Sequence, residues 1–210
     1  MPKTAPFESF TDRYEHWFEE FDAAYQSELE ALRRIVPTPG YGVEIGVGSA
    51  RFAAPLGFQV GLDPAAAMLE RAQDRGVEVV RGVAEHLPFQ DGRFDTALVV
   101  TTICFVDDVP RTLTEARRVV GPSGRLVIGY IDADSPVGRT YREQKEENPF
   151  YRDAVFVSTD ELVDQLEAAG FGDFEFVQTI YRQPDEITAL DRIESGYGDG
   201  SFVGIAATAR

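Results

Sequence analysis

The stretch Val43-Glu-Ile-Gly-Val-Gly-Ser-Ala-Arg-Phe-Ala53 decides the fold. It reads as an apolar strand, a turn carrying Gly46 and Gly48, and then helix-compatible residues. Glycines at such a turn let the backbone bend sharply and let a ligand approach with no Cβ in the way. Outward from it, strand-like runs at 42–47, 58–62, 77–81, 94–100 and 124–131 alternate with amphipathic helical runs at 65–75 and 109–120. That alternation indicates an α/β fold whose parallel sheet is covered by helices on both faces. Ser158-Thr-Asp-Glu161 is a capping box that opens a further helix over 160–169, closed by Gly170. Two strands then end the chain, 174–180 and 201–209, with no full crossover helix between them, which points to a final antiparallel hairpin. The expectation is a doubly wound, seven-stranded, mostly parallel sheet with an antiparallel last strand.

Two segments fall outside this rhythm. From Phe7 to Val36 the apolar residues Tyr14, Trp17, Phe18, Phe21, Tyr25, Leu29, Leu32 and Ile35 recur at spacings of three and four, which predicts one helix stopped by Pro37-Thr-Pro-Gly40. The chain therefore divides into an N-terminal helical segment over 1–40 and a core over 41–210. The stretch 132–157 is longer, more polar and richer in aromatics than a simple connection needs. It reads as a cap insertion with a helix near Gly138–Glu146, lying over the C-terminal edge of the sheet.

Composition narrows the function. A chain of 210 residues, 43% apolar and 27% charged, suits one globular domain. Its 36 Asp+Glu against 20 Lys+Arg leave a net charge of −16, which disfavours nucleic acid and anionic membrane surfaces alike. Ala97–Val106 is too short to span a bilayer, and MPKTAPFESF lacks the pattern of a secretory signal. A lone Cys104 excludes an internal disulfide framework, and two histidines leave little for a metal site. A cytoplasmic, metal-independent protein, monomeric or homodimeric, is the simplest class. Only Lys3 and Lys145 are lysines. Salt adaptation and Arg-favouring codon usage account for that equally well.

The turn acquires chemical meaning from two acidic residues. Glu44 stands two positions before the first glycine, where a charge needs a polar partner. Asp63 follows the second strand, 19 residues later, where an acidic side chain can take both hydroxyls of a ribose. An adenosine-bearing ligand over the first strand ends fits both. A dinucleotide cofactor fits less well, because its third glycine is Arg51 here and Glu44 would oppose a pyrophosphate. A carboxylate favours a ligand with an ammonium or sulfonium group, as in S-adenosylmethionine.

In sum these residues resemble the class I S-adenosylmethionine-dependent methyltransferases, and the nearest likeness is to the small branch of ubiquinone- and menaquinone-biosynthesis methyltransferases. Glu44, Gly46 and Gly48 match the first motif, with Ala50 in the place of its third glycine. Asp63, Pro64 and Met68 match the segment after the second strand, and Gly82–Phe89 resembles the stretch around the adenine. The likeness continues through 94–109 and 121–132, from about Tyr41 to the C-terminus. It implies a Rossmann-like fold, S-adenosylmethionine as methyl donor with S-adenosylhomocysteine as product, and the first forty residues as a lid. Its cofactor contacts carry over to Glu44, Gly46, Val47, Gly48, Asp63, Pro64, Met68, Ala84, Glu85 and Thr101, with Tyr14 reaching down from the lid. Val83 stands where many relatives have an adenine-binding aspartate, which leaves Glu85, a backbone carbonyl or apolar contact for that role. Ala50 is tolerated if that residue is already helical.

Methyl transfer from a sulfonium needs alignment and exclusion of water more than a nucleophile or metal, so no catalytic residue can be read from the motifs. Trp17 and Phe18 either fold over the cofactor or pack against the core. His16 and His86 read as surface residues, Cys104 as a small buried one, and Asp108 as a helix cap. Tyr130, Asp132, Tyr141, Phe150 and Tyr151 either line an acceptor pocket or hold the cap to the sheet. Glu194–Gly200, with its alternating glycines, is a strand-start bulge or a loop reaching toward that pocket. Two functions follow: methylation of a small-molecule acceptor, or a non-catalytic module that binds S-adenosylmethionine or S-adenosylhomocysteine to regulate a partner.

Overall fold

The computed structural model describes residues 4–37 and 40–210; residues 1–3 and two of the four positions expected to stop the first helix, Thr38 and Pro39, lie outside them. The alternating region supplies β1 (Gly42–Ile45), α4 (Ala53–Leu56), β2 (Val60–Asp63), α5 (Ala66–Asp74), β3 (Glu78–Arg81), β4 (Thr96–Val100), α6 (Val109–Val120) and β5 (Arg125–Ile131). The chain closes with α7 (Pro136–Glu143), α8 (Thr159–Ala168), β6 (Phe171–Thr179), β7 (Glu194–Ser195) and β8 (Phe202–Ala209). The sheet order is β3-β2-β1-β4-β5-β8-β6-β7. The first five strands are parallel, and β8 lies antiparallel between β5 and β6. All seven anticipated strands are present; β7 is a two-residue addition at the edge.

Strand burial explains why the sequence shows runs rather than alternation here. β4 is buried along its whole length, because successive residues face opposite layers. Ala97 and Val99 pack with Leu113, Ala116, Leu162 and Leu166 of α6 and α8. Leu98 and Val100 pack with Leu29, Leu32 and Leu69 on the other side. The helix ends are held locally. Asp108 accepts from the Arg111 amide at 2.9 Å, and Ser158 and Glu161 form the reciprocal capping box. Asp132, at the end of β5, accepts from the Thr159 amide and hydroxyl and so anchors the start of α8.

The N-terminal segment is three helices rather than one: α1 (Ala5–Ser9), α2 (Thr11–Glu20) and α3 (Asp22–Ile35). Phe10 and Phe21 leave helical geometry, at φ −124°, ψ 34° and φ −111°, ψ 41°. The apolar spacing runs through both breaks, so periodicity does not register them. The bends point the three helices at different targets. Phe7 of α1 meets Phe105 and Phe150 at centroid distances of 5.2 and 5.4 Å, while α3 buries Leu29, Leu32 and Ile35 against the sheet. In the 132–157 insertion the helix starts earlier than anticipated, at Pro136, and ends at Glu143 before a 3-10 turn over Lys145–Glu147.

Carboxylates of α1 and α2 tie this segment to the core. Glu8 accepts from the Ala66 and Ala67 amides at the start of α5, 2.7 and 3.1 Å away. Asp12 pairs with Arg71. Glu15 takes Arg51 through Nε and Nη2, at 3.0 and 2.5 Å, and Arg75 at 2.5 Å. Burial works to raise the Glu15 pKa, yet the neighbouring Ser49 hydroxyl and the two guanidiniums outweigh it and hold the group below the ordinary carboxylate range. Among the described residues no helix is long and apolar enough to cross a membrane. Glu15→Ala is expected to lower the unfolding free energy by about 2–3 kcal/mol in urea titration, because it strands two partly buried guanidiniums; a loss under about 0.5 kcal/mol would show that the pairing carries no stability.

Candidate active site

A cavity of about 770 Å³ lies over the carboxyl ends of β1, β2 and β4, between the sheet, the N-terminal helices and the 132–157 insertion. Ligands of open α/β sheets occupy this place because strand ends leave backbone groups free there. At one end are Gly46, Gly48, Asp63 and Pro64; at the other are aromatic walls from α2, α7 and the loop after it.

The glycine turn is tightly specified. Gly46 sits at φ 76°, and a Cβ there would stand 2.2 Å from the Thr102 side chain, whose hydroxyl donates to the Gly46 carbonyl at 3.1 Å. Gly48, at φ 50°, lies directly beneath the Tyr14 hydroxyl, 3.1 Å from where a Cβ would be. Ala50 is not right-handed helical, contrary to the condition set for its tolerance: its φ is 62°. The left-handed turn is therefore made with a Cβ in place, a conformation that costs about 1–2 kcal/mol.

Asp63 lines the cavity and already holds the turn together. Its Oδ2 accepts from the Gly48 amide at 3.0 Å and its Oδ1 from the Ala65 amide at 2.8 Å. Burial pushes its pKa up to about 6, against the pull of those two amides. Glu44 does not line the cavity. It lies behind the turn, 2% exposed, with Oε2 lacking any hydrogen-bond partner among the described residues. Burial holds its pKa well above the ordinary range, opposed by the Ala53 amide and reinforced by Asp63. The Tyr14 phenol, raised by burial and then by Glu44 and Asp63, stays protonated above them.

The other anticipated cofactor residues divide. Ala84, Glu85 and Thr101 line the cavity, as does Val83. The Glu85 carboxylate accepts from the Asp107 amide at 2.7 Å, fixing the loop before α6. Thr101 takes a left-handed φ of 48°, and its amide donates to the Gly129 carbonyl at 2.7 Å. Val47 and Met68 are buried in the surrounding structure and are not on the cavity wall. Of the acceptor-side candidates, Tyr141, Phe150 and Tyr151 line the cavity together with Trp17 and Phe18. Tyr130 and Asp132 do not; both are engaged with Thr159. The glycine-rich 194–200 segment also lies elsewhere, its Asp199 and Gly200 amides bound by Gln178 and its Tyr197 hydroxyl by Asp160. Cys104 is buried, and His16 and His86 are exposed. No cluster of metal-binding side chains occurs among the described residues.

Among the lining residues that escaped the sequence reading, one carries a buried charge. Glu28 on α3 is 5% exposed, lines the aromatic end, and is engaged by no hydrogen bond or ion pair among the described residues. Burial alone raises its pKa to about 8. The signal was present in the spacing Phe21, Tyr25, Glu28, Leu32, Ile35, which sets a carboxylate in line with an apolar face.

Residues 43–128 match the model of the methyltransferase domain family. A solved structure from Thermotoga maritima, described as an S-adenosylmethionine-dependent methyltransferase and possible histamine N-methyltransferase, is 47% identical. It superimposes with a TM-score of 0.94 over 97% of this chain and 98% of that one. The chain belongs to the S-adenosylmethionine-dependent methyltransferases. An uncharacterized protein of Methanocaldococcus jannaschii is 39% identical over 201 residues, 96% of this chain and 97% of the relative. The demethylmenaquinone methyltransferase of Corynebacterium kroppenstedtii is 34% identical over 101 residues, 46% of this methyltransferase and 44% of that enzyme.

Two outcomes follow for this methyltransferase. Gly46→Ala is expected to destabilise it by at least about 1–2 kcal/mol, from the left-handed φ alone and before the clash with Thr102; chemical denaturation measures it, and an unchanged midpoint would refute the tight turn. Glu28 and Glu44 have folded pKa values above their unfolded ones, so the ligand-free protein loses stability as pH rises through the folded values. Glu28→Gln is expected to raise the thermal midpoint more at pH 9 than at pH 5, and an equal shift at both would refute the assignment.

Proposed function

We propose that this enzyme moves a methyl group from S-adenosylmethionine to a small-molecule acceptor by direct in-line displacement, with residues 1–40 acting as a lid over the cofactor. The observation that carries the reading is the single cavity that runs from the Gly46–Gly48 turn and Asp63 to the aromatic walls, so that donor and acceptor can meet inside one enclosure. The residues present fit the donor. Gly46 and Gly48 line the cavity with Tyr14 standing over the second of them, which sets the turn facing the donor's methionyl end. The orphaned carboxylate oxygen of Glu44 behind that turn favours positive charge there. Asp63, with two amides already bound, retains lone pairs for two ribose hydroxyls. Leu62, Pro64, Val83 and Ala84 offer an apolar slot for the base, with Glu85 at its rim.

The donor supplies an activated methyl carbon, and the chain supplies position. Tyr14 and Thr101 bracket the cofactor end, while Trp17, Phe21 and the insertion close the acceptor end and exclude water. The relatives point to different acceptors, a quinone in one name and an amine in another. A regulatory module that only binds the cofactor would need no acceptor compartment, and the aromatic end of the cavity supports turnover.

Calorimetric titration with S-adenosylmethionine and with NAD tests the cofactor; binding of NAD alone would overturn the reading. The ribose contact needs Asp63 ionised. With a free-state pKa of about 6, affinity for S-adenosylhomocysteine is expected to weaken about tenfold from pH 7 to pH 5, and a flat profile would remove Asp63 from the contact.

A further inference from the structure

The aromatic end of the cavity holds a carboxylate that no described residue neutralises. Glu28 projects from α3 among Trp17, Phe21, Tyr141 and Tyr151, and no arginine, lysine or hydrogen-bond donor engages it among the described residues. Tyr141 and Tyr151 stack at 4.7 Å, and both phenols are raised first by burial, with Glu28 contributing. A buried carboxylate without a partner is costly, and proteins keep one where it meets a proton or a cation. The rest of the lining has the same sign. Glu20, Glu28, Asp63, Glu85, Asp107 and Asp185 face the cavity against Arg13 as its one guanidinium among the described lining residues. Arg13 lies over the Phe150 ring, 5.9 Å from its centroid. Aromatic faces and carboxylates together attract organic ammonium groups and repel acids.

We infer that the methyl acceptor is a primary or secondary amine on an apolar or aromatic body, and that Glu28 binds its ammonium group and takes its proton. This rests on the methyltransferase reading above. The ammonium enters paired with the Glu28 carboxylate, its carbon body against Trp17, Phe21 and Tyr141. One N–H proton passes to Glu28, which leaves a nitrogen lone pair facing the cofactor end of the cavity. That lone pair forms the new N–C bond to the methyl carbon as the methyl–sulfur bond of the sulfonium donor breaks, its electron pair remaining on sulfur. The products are an N-methylammonium and a neutral thioether, and Glu28 returns its proton to water when the amine leaves. Glu28 is thus a catalytic residue of this step and the anchor that selects nitrogen over a hydroxyl or carboxylate.

The test uses the full-length protein saturated with S-adenosylhomocysteine, which checks the cofactor site first. 2-Phenylethylamine, 2-phenylethanol and 3-phenylpropionate are then titrated, followed by calorimetry and by the fluorescence of Trp17, the one tryptophan in the chain. The amine is expected to bind at least tenfold more tightly than the alcohol, and the acid not at all. Glu28→Gln is expected to lose that tenfold preference while binding the alcohol and S-adenosylhomocysteine as before; Glu28→Asp, which keeps the charge, should retain part of it. With S-adenosylmethionine, mass spectrometry should detect the N-methylated amine for the wild type and much less for Glu28→Gln. Intact S-adenosylhomocysteine binding with equal affinity for amine and alcohol, or an amine affinity unchanged in Glu28→Gln, overturns the inference alone. Failure to bind S-adenosylhomocysteine overturns it together with the cofactor reading.

Discussion

The site depends on a junction between two parts of the chain that share no strand. The alternating βα region builds the floor, and α1, α2 and α3 arrive from outside it to make the roof. α3 joins through its apolar face on the sheet, while α1 and α2 are tied by carboxylates: Glu8 on the first amides of α5, and Glu15 on Arg51 and Arg75. Each carboxylate contact lands beside the glycine turn or just after β2. The Arg75 guanidinium also donates to the Ser49 carbonyl at 2.7 Å, so one side chain grips both the roof and the turn. Tyr14 is thereby held over Gly48, and the depth of the cavity follows from that position.

This also gives the scarcity of lysine a structural side. Arg51 meets Glu15 through two nitrogens, and Arg118 reaches Glu115, Asp91 and the carbonyls of Leu87 and Phe89 at once. A forked, planar donor can serve several oxygens in a fixed geometry, which an ammonium cannot. In a chain with so many carboxylates, arginine is well suited to joining segments. Glu28 and Glu44 are buried without such a partner among the described residues; Glu28 lines the cavity and Glu44 lies behind its glycine turn, so that a cationic ligand there would relieve the cost of burying them. Ligand binding then stabilises the fold by mass action.

The sheet was legible because both its faces are covered: strands buried on two sides read as short apolar runs, and the helices between them carry clear stripes and caps such as Asp108 and Ser158. The breaks at Phe10 and Phe21 were not, since the apolar spacing is continuous and only tertiary contact shows where a helix must turn. The Gly46–Gly48 turn and Asp63 could be read from spacing because their demands are local. Glu28 could not be assigned a role, since its neighbours Tyr141 and Tyr151 lie more than a hundred residues away. The same long range separated Tyr141, Phe150 and Tyr151 on the cavity wall from Tyr130 and Asp132 beneath α8. The left-handed φ of Ala50 was not legible, because it leaves no mark on an alanine.

The place of β8 has a consequence for how the chain is made. β8, made after every other strand of this sheet, is an interior one, hydrogen-bonded on one side to β5 and on the other to β6. The helix α3, made before any strand of the sheet, packs against β5, β6 and β8. α3 therefore has no finished surface to rest on until β6 and β8, far later in sequence, are in place. During synthesis the apolar face of α3 and the open edge of β5 must wait, exposed, for residues 202–209. The sheet is complete only once residues 202–209 are in place, and disrupting that strand would remove an inner member of the sheet rather than trim its border.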